Sequence, residues 1–396
     1  MNDSLPSLRL KKREERRVRQ GHPWVYSNEV DTKATPLNAF ASGDTAQVLA
    51  ADGKLLGTAM VNPNSLICAR LFARRVAVLD EALLTHRVER ALALRERLYP
   101  QPYYRLVYGE SDGLPGLVVD RFGPVVVAQS TTAGMDRCQE HVAAVLHKLP
   151  GIDTLIWRND TDARQLEGLE QYTGVAFGEL PEQLEVIEGD AGFHVPAMRG
   201  QKTGWFFDQR DNRLRLRDYA GGMRVLDAFA YMGGWGVGAA VAGAASVTAI
   251  ETSSQAAQAI RDNAARNDVE VNVIEDDAFA ALKQLREAGE RFDVINVDPP
   301  AFIKRRKDVK NGEEAYTRVN RLAMQLLGAD GILVTSSCSY HLREEVFVRL
   351  LAAAARKAGR TLQVLERRGQ AADHPVLPAM PESRYLKTYI LRVLAH

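Results

Sequence analysis

The sequence predicts an α/β chain with a C-terminal doubly wound sheet, an N-terminal β-barrel and a central α+β domain. Three observations carry this reading. Strand, helix and strand alternate at βαβ spacing from about residue 190 onward. Residues 1–74 hold only short apolar runs separated by turn residues, and the stretch between, 75–190, mixes both patterns. At 396 residues and 46% hydrophobic, the chain can fill two or three cores.

In order along the chain, apolar runs at 24–26, 45–49, 55–61 and 66–72 are the expected barrel strands. Asp52-Gly53 joins two of them and predicts a type I′ hairpin turn, which needs positive φ at both residues. Residues 81–98 have helical spacing and lack glycine and proline. In the central domain, strands at 117–120 and 125–129 flank Arg121-Phe122-Gly123-Pro124. Met135, Cys138, Val142, Val145, Leu146 and Leu149 share one helical face, which makes Cys138 a core residue. In 191–396 the expected strands are 224–228, 246–250, 272–274, 293–297 and 331–335, with a final pair at 363–366 and 386–394. Asp227, Glu251, Asp277, Asp298 and Cys338 all fall at or just past strand ends, where ligands of such sheets bind.

The net charge is only +1, so distribution carries the electrostatic argument. Arg9, Lys11, Lys12, Arg13, Arg16, Arg17 and Arg19 crowd one stretch against Glu14 and Glu15, next to Trp24 and Tyr26. A second cluster, 304–310, begins with Lys304 and Arg305 just after Asp298-Pro299-Pro300. Both are expected to meet RNA phosphates. The apolar runs are too short for a signal peptide or a membrane span, and a cytoplasmic location is expected. Cys68, Cys138 and Cys338 are odd in number and far apart, which argues against disulfides and zinc, and the histidines show no metal spacing.

The segment Gly233-Gly234-Trp235-Gly236-Val237-Gly238 lets backbone approach a ligand. A dinucleotide enzyme would place G-x-G-x-x-G directly after the strand, whereas here five residues separate Asp227 from Gly233. A carboxylate at Glu251 suits ribose hydroxyls and one at Asp277 an adenine amino group. Three strand-end acids with a glycine loop fit S-adenosylmethionine, a cation without phosphates, better than NAD. A single such acid could equally be a helix N-cap.

Cys338 lies forty residues after Asp298 and is flanked by Ser336, Ser337 and Ser339. A thiol that adds to carbon 6 of a pyrimidine makes carbon 5 nucleophilic, and an acid at ring nitrogen 3 assists. Cys338 as nucleophile and Asp298 as that acid predict methylation of cytosine carbon 5. Asp-Pro-Pro segments also serve methyl transfer to base nitrogens, so the motif points to the cofactor class before the target atom.

Over nearly its whole length the chain resembles the bacterial 23S rRNA cytosine-5 methyltransferases of the RlmI type. The matching passages include Gly21-His22-Pro23-Trp24-Val25-Tyr26, Gly113-Leu114-Pro115-Gly116-Leu117, Asp298-Pro299-Pro300-Ala301-Phe302 and Ser337-Cys338-Ser339. Two more, 201–210 with Phe207, Asp208, Gln209 and Arg210, and Gln370-Ala371-Ala372-Asp373-His374-Pro375, are specific to that group. The resemblance implies an N-terminal PUA domain, a Rossmann-like catalytic domain and a homodimer. It implies Cys338 as nucleophile, with the cofactor around Phe207, Asp208, Gln209, Arg210, Gly233, Gly234, Glu251 and Asp277; Asp227, Tyr231 and Asp298 are expected in the same pocket. Related enzymes carry a second cysteine after the Asp-Pro region; this chain has Pro300, Ala301 and Phe302 there, and the base that completes elimination stays unassigned. Methylation of uracil carbon 5 or a guanine nitrogen remains an alternative, as does an RNA-binding assembly factor without turnover.

Overall fold

The computed structural model describes residues 5–198 and 203–395. They form two compact units: 5–184 with 196–198, 203–207 and 373–383, and 185–195 with 208–372 and 384–395.

The first unit begins with β1 (Ser7–Arg9), α1 (Glu15–Arg19), β2 (Trp24–Val25), β3 (Asp44–Leu49), β4 (Leu55–Val61) and β5 (Ala69–Ala73). Their sheet runs β1-β3-β4-β5-β2 around Leu8, Leu10, Val25, Val48 and Ala59, each fully buried. The hairpin at Asp52-Gly53 is not the expected type I′ turn. Only Gly53 has positive φ, at 85°, and its N–H donates to the Ala50 carbonyl oxygen at 2.9 Å, so the turn opens before the dipeptide and ends on the glycine. Such three-residue loops place glycine at the left-handed position and leave aspartate right-handed.

The helix α2 (Glu81–Leu98) matches its expected bounds, capped by Asp80, whose carboxylate accepts the Leu83 N–H at 2.8 Å. It buries Leu84, Val88, Ala91, Leu92 and Arg95 along one face. The second sheet runs β10-β9-β8-β7-β6 through β6 (Tyr103–Tyr108), β7 (Leu117–Phe122), β8 (Val125–Ser130), β9 (Thr154–Asn159) and β10 (Tyr172–Phe177), with α3 (Ala133–Asp136), α4 (Gln139–His147) and α5 (Asp162–Leu166) between. The single helix expected around Cys138 is two, α3 and α4, with Cys138 at the junction and packed on the core as expected.

The two-stranded sheet of β11 (Gln183–Glu188) and β12 (Ala191–Pro196) leads into the second unit. That unit holds α6 (Arg210–Ala220), β13 (Arg224–Ala228), α7 (Gly234–Val241), β14 (Ser246–Glu251), α8 (Ser254–Arg266), β15 (Asn272–Glu275), α9 (Ala278–Glu287), β16 (Phe292–Val297), α10 (Val309–Leu326), β17 (Leu327–Ser337), α11 (Glu344–Ala358), β18 (Arg360–Arg368) and β19 (Lys387–Ala395). The sheet order is β15-β14-β13-β16-β17-β19-β18, parallel from β15 to β17, with β19 antiparallel to both neighbours. β13 and β16 are buried almost throughout because helices cover both faces, which is why they read as continuous apolar runs. The chain reverses its winding direction between β13 and β16, and there the carboxyl ends of adjacent strands open a crevice.

Candidate active site

The loop after β13 departs from ordinary backbone. Phe229 and Tyr231 have φ of 66° and 50°, and Gly233 has 85°. Side chains larger than glycine adopt such angles rarely and at a cost, a pattern that clusters at ligand sites. At Gly233 a Cβ would stand 2.9 Å from the Val237 side chain, so only glycine fits. Asp227 anchors the loop: it is fully buried and accepts from Gly236 N–H at 2.8 Å and from Asn296 Nδ2 at 2.9 Å. Burial, with the charges of Asp298 and Glu251 nearby, pushes its carboxyl up to about 7. Asp227 therefore shapes the glycine loop from beneath.

Asp298 and Cys338 follow β16 and β17, neighbours in the sheet with Val297 opposite Thr335. Asp298 accepts from Gln209 Nε2 at 2.9 Å and Trp235 Nε1 at 3.1 Å. Burial pushes its carboxyl up to about 6, against these two donors. Gln209 is itself held by Asn212 Nδ2 at 2.7 Å. The loop bearing the half-buried Cys338 is clamped on both sides: Ser337 Oγ donates to Tyr316 Oη at 2.9 Å, and Tyr316 Oη also pairs with Ser339 Oγ at 2.9 Å. Ser339 Oγ accepts the Ile303 N–H at 3.1 Å, which ties the segment after Asp298-Pro299-Pro300 to the cysteine loop.

Glu251 accepts from Tyr231 N–H at 2.8 Å and Ser253 N–H at 2.9 Å, so it fixes the glycine loop from the next strand. A carboxylate has about four acceptor positions, and two remain after these bonds. Asp277 is exposed and caps α9 through Phe279 and Ala280 N–H groups at 3.0 and 3.1 Å. Gly234 is buried where α7 begins. Asp208 and Arg210 are buried in this unit, and the Tyr385 hydroxyl donates to Asp208. Phe207 belongs to the first unit, is 1% exposed and packs on Phe122 at 5.2 Å. Gln201 and Lys202 of the same motif lie outside the described residues.

The basic stretch is divided. Lys12, Arg13 and Arg16 are exposed, and Lys11 donates to the Asn28 carbonyl oxygen at 2.8 Å. Arg17 is drawn inward, bonded to both Glu29 oxygens at 2.9 and 3.1 Å and stacked over Tyr26, which removes it from the expected phosphate contacts. Trp24 likewise is engaged, donating to Glu110 at 2.7 Å. Lys304 and Arg305 are exposed, with Arg305 beside Asp308 at 3.4 Å. In the Gln370-to-Pro375 motif, Asp373 is fully buried and accepts the Arg105 N–H at 2.9 Å, a packing role in the first unit. Sequence reasoning missed Gln209 as partner of Asp298, Trp235, Tyr316 and Lys387, since none lies next to its partner in the chain.

A doubly wound sheet of this order, with a glycine loop after its first strand and acids ending the next two, defines an S-adenosylmethionine-dependent methyltransferase. Residues 171–392 match the S-adenosylmethionine-dependent methyltransferase family, and 8–74 match the PUA-like domain. Ribosomal RNA large subunit methyltransferase I of Klebsiella pneumoniae is 38% identical over the full length of both chains. Its namesake from Shewanella denitrificans is 38% identical, covering 98% of this chain and 99% of its own. Among solved structures, a Streptococcus mutans chain described as a SAM-dependent methyltransferase aligns over 98% of this chain and 100% of its own, with a TM-score of 0.83 and 19% identity. A methyltransferase solved with S-adenosylhomocysteine aligns over the same shares, with a TM-score of 0.84 and 20% identity. The chain belongs to the ribosomal RNA large subunit methyltransferase I family. Among the described residues, no helix is long and apolar enough to cross a membrane.

Proposed function

We propose that this protein transfers a methyl group from S-adenosylmethionine to carbon 5 of a cytosine in 23S ribosomal RNA through a covalent Cys338 adduct. The observation that carries the reading is a thiol and a carboxyl of raised pKa that each follow one of two adjacent strands, their loops joined by the Ile303–Ser339 hydrogen bond. The names of the relatives supply large-subunit ribosomal RNA as the substrate class.

The donor set suits the cofactor. Glu251 keeps two acceptor positions for ribose hydroxyls, and exposed Asp277 offers an oxygen for the adenine amino group. Gln209 donates to Asp298, and the Asp208 charge lies near it. When bound, the cofactor supplies an electrophilic sulfonium methyl. Cys338 as thiolate adds to carbon 6 of the ring, and Asp298 delivers a proton to nitrogen 3, so carbon 5 gains enamine character. Its raised pKa keeps the protonated form within reach near neutrality. After methyl transfer, the carbon 5 proton passes to water, the electron pair it leaves expels the Cys338 sulfur as thiolate, and the nitrogen 3 proton returns to the Asp298 carboxylate. Exposed Lys12, Arg13, Arg16, Lys304 and Arg305 are the candidates for phosphate contacts.

The test is incubation with methyl-labelled cofactor and 23S RNA, digestion to nucleosides, and mass spectrometry. Label in 5-methylcytidine is expected. Label in 5-methyluridine or a methylguanosine, with none in 5-methylcytidine, contradicts the proposal.

A further inference from the structure

We propose that Lys387 is the positioning residue that ionises Cys338, its ammonium standing opposite the thiolate so that the sulfur is a nucleophile before the base arrives. The inference rests on the reading of Cys338 as nucleophile.

Lys387 opens β19 opposite Ser337, the last residue of β17 and the neighbour of Cys338. Its Nζ donates to the carbonyl oxygen of Ser339, the neighbour on the other side, at 2.8 Å. The ammonium is thus pinned against the three-residue segment whose centre is Cys338. Lys387 is 7% exposed, and of its three donors this is the one bonded among the described residues. Burying a cation with a single carbonyl partner is costly, and a methionine would fill the space without that cost.

Of the two anionic groups that favour the ammonium, Cys338 acts more strongly than Glu344. Glu344 on α11 is engaged by Arg367 at 2.8 Å, Arg384 at 3.1 Å and the Tyr389 hydroxyl at 2.8 Å. Arg384, just before β19, opposes the ammonium. Tyr316 on α10 is held between Ser337 and Ser339, and burial pushes its phenol up to about 12, so it stays neutral. Burial pulls the Lys387 amine down to about 8, while the Cys338 charge favours its protonated form. The thiol proton can therefore pass to the Lys387 amine, whose protonated form the resulting thiolate stabilises. Transfer breaks the Sγ–H bond, leaves the electron pair on sulfur and forms an N–H bond on Nζ. Charge is conserved and no co-reactant is needed. When elimination expels the sulfur from carbon 6, the returning thiolate meets the same cation.

The test measures the pH dependence of iodoacetamide alkylation on the full chain without RNA, resolved by peptide. Cys68, whose thiol burial pushes up to about 12, and Cys138 serve as internal references. Lys387→Gln keeps a donor for the Ser339 carbonyl oxygen and removes the charge. Its Cys338 midpoint is expected about one to three pH units above wild type, with at least ~tenfold slower alkylation at pH 7.5, as for loss of a neighbouring opposite charge. Lys387→Arg should restore most of the shift. Should Lys387→Gln not fold, judged by calorimetric binding of S-adenosylhomocysteine, Lys387→Met reads the same midpoint. A folded variant whose Cys338 midpoint matches wild type overturns the inference. Because no RNA is present, failure of the cytosine reading in RNA assays leaves this measurement intact, and an unshifted midpoint leaves the cytosine reading intact.

Discussion

Asp227 shows how one buried carboxyl couples the cofactor loop to pH. Its oxygens hold Gly236 and Asn296, and its pKa of about 7 lies well above that of an unfolded aspartate, near ~3.9. The folded chain therefore keeps this proton where the unfolded chain has lost it. Between about pH 4 and pH 7 the folded state binds more protons, so this group's contribution to stability falls as pH rises through that window and is constant above it. Asp227→Asn cannot ionise and escapes that loss. It forfeits one acceptor and should be less stable than wild type at pH 5, with the gap narrowing by pH 8. Urea unfolding at both pH values checks this, and a gap independent of pH would mean the carboxyl is not protonated in the fold. Single residues are also where the sequence was least legible. Cys338 and Asp298 could be found because each ends a predicted strand. Arg17 reads as a phosphate ligand only until Glu29 and Tyr26 are brought beside it by the N-terminal sheet.

At the scale of elements, strand-end acids do two jobs at once. Asp277 caps α9, and loss of a cap costs roughly 0.5–2 kcal/mol. The proposed contact with the adenine amino group needs the carboxylate itself. Asp277→Ser retains a capping oxygen and should leave stability nearly unchanged, yet weaken S-adenosylhomocysteine binding as much as Asp277→Ala does. Calorimetry beside thermal unfolding separates the two: wild-type affinity in Asp277→Ser would reduce Asp277 to a cap. The parallel strands were legible because burial on both faces leaves unbroken apolar runs, as in β16. β1 was hidden just ahead of a basic stretch, since only Leu8 of its three residues faces the core. The helix break at Cys138 was hidden for a related reason: the apolar spacing continues across a junction that the backbone does not.

For the whole molecule, alternation of strand and helix made the catalytic fold legible, and the topology then brought together what spacing could not. Gln209 precedes α6 yet meets Asp298 after β16, and Lys387 opens the last strand beside a cysteine 49 positions earlier. Sequence separation hides such pairs, because nothing local distinguishes a glutamine that meets an acid from one that meets water. The central claim, that Cys338 bonds to carbon 6 of a cytosine, is tested most directly with RNA containing 5-fluorocytidine. Fluorine at carbon 5 cannot leave as a proton does, so the covalent intermediate persists. Wild type with cofactor should form a denaturation-resistant one-to-one adduct that mass spectrometry maps to Cys338, while Cys338→Ala should form none and bind S-adenosylhomocysteine nearly as tightly as wild type. Substantial methylation of ordinary RNA by Cys338→Ala, or no adduct from a wild type that methylates ordinary RNA, would contradict it.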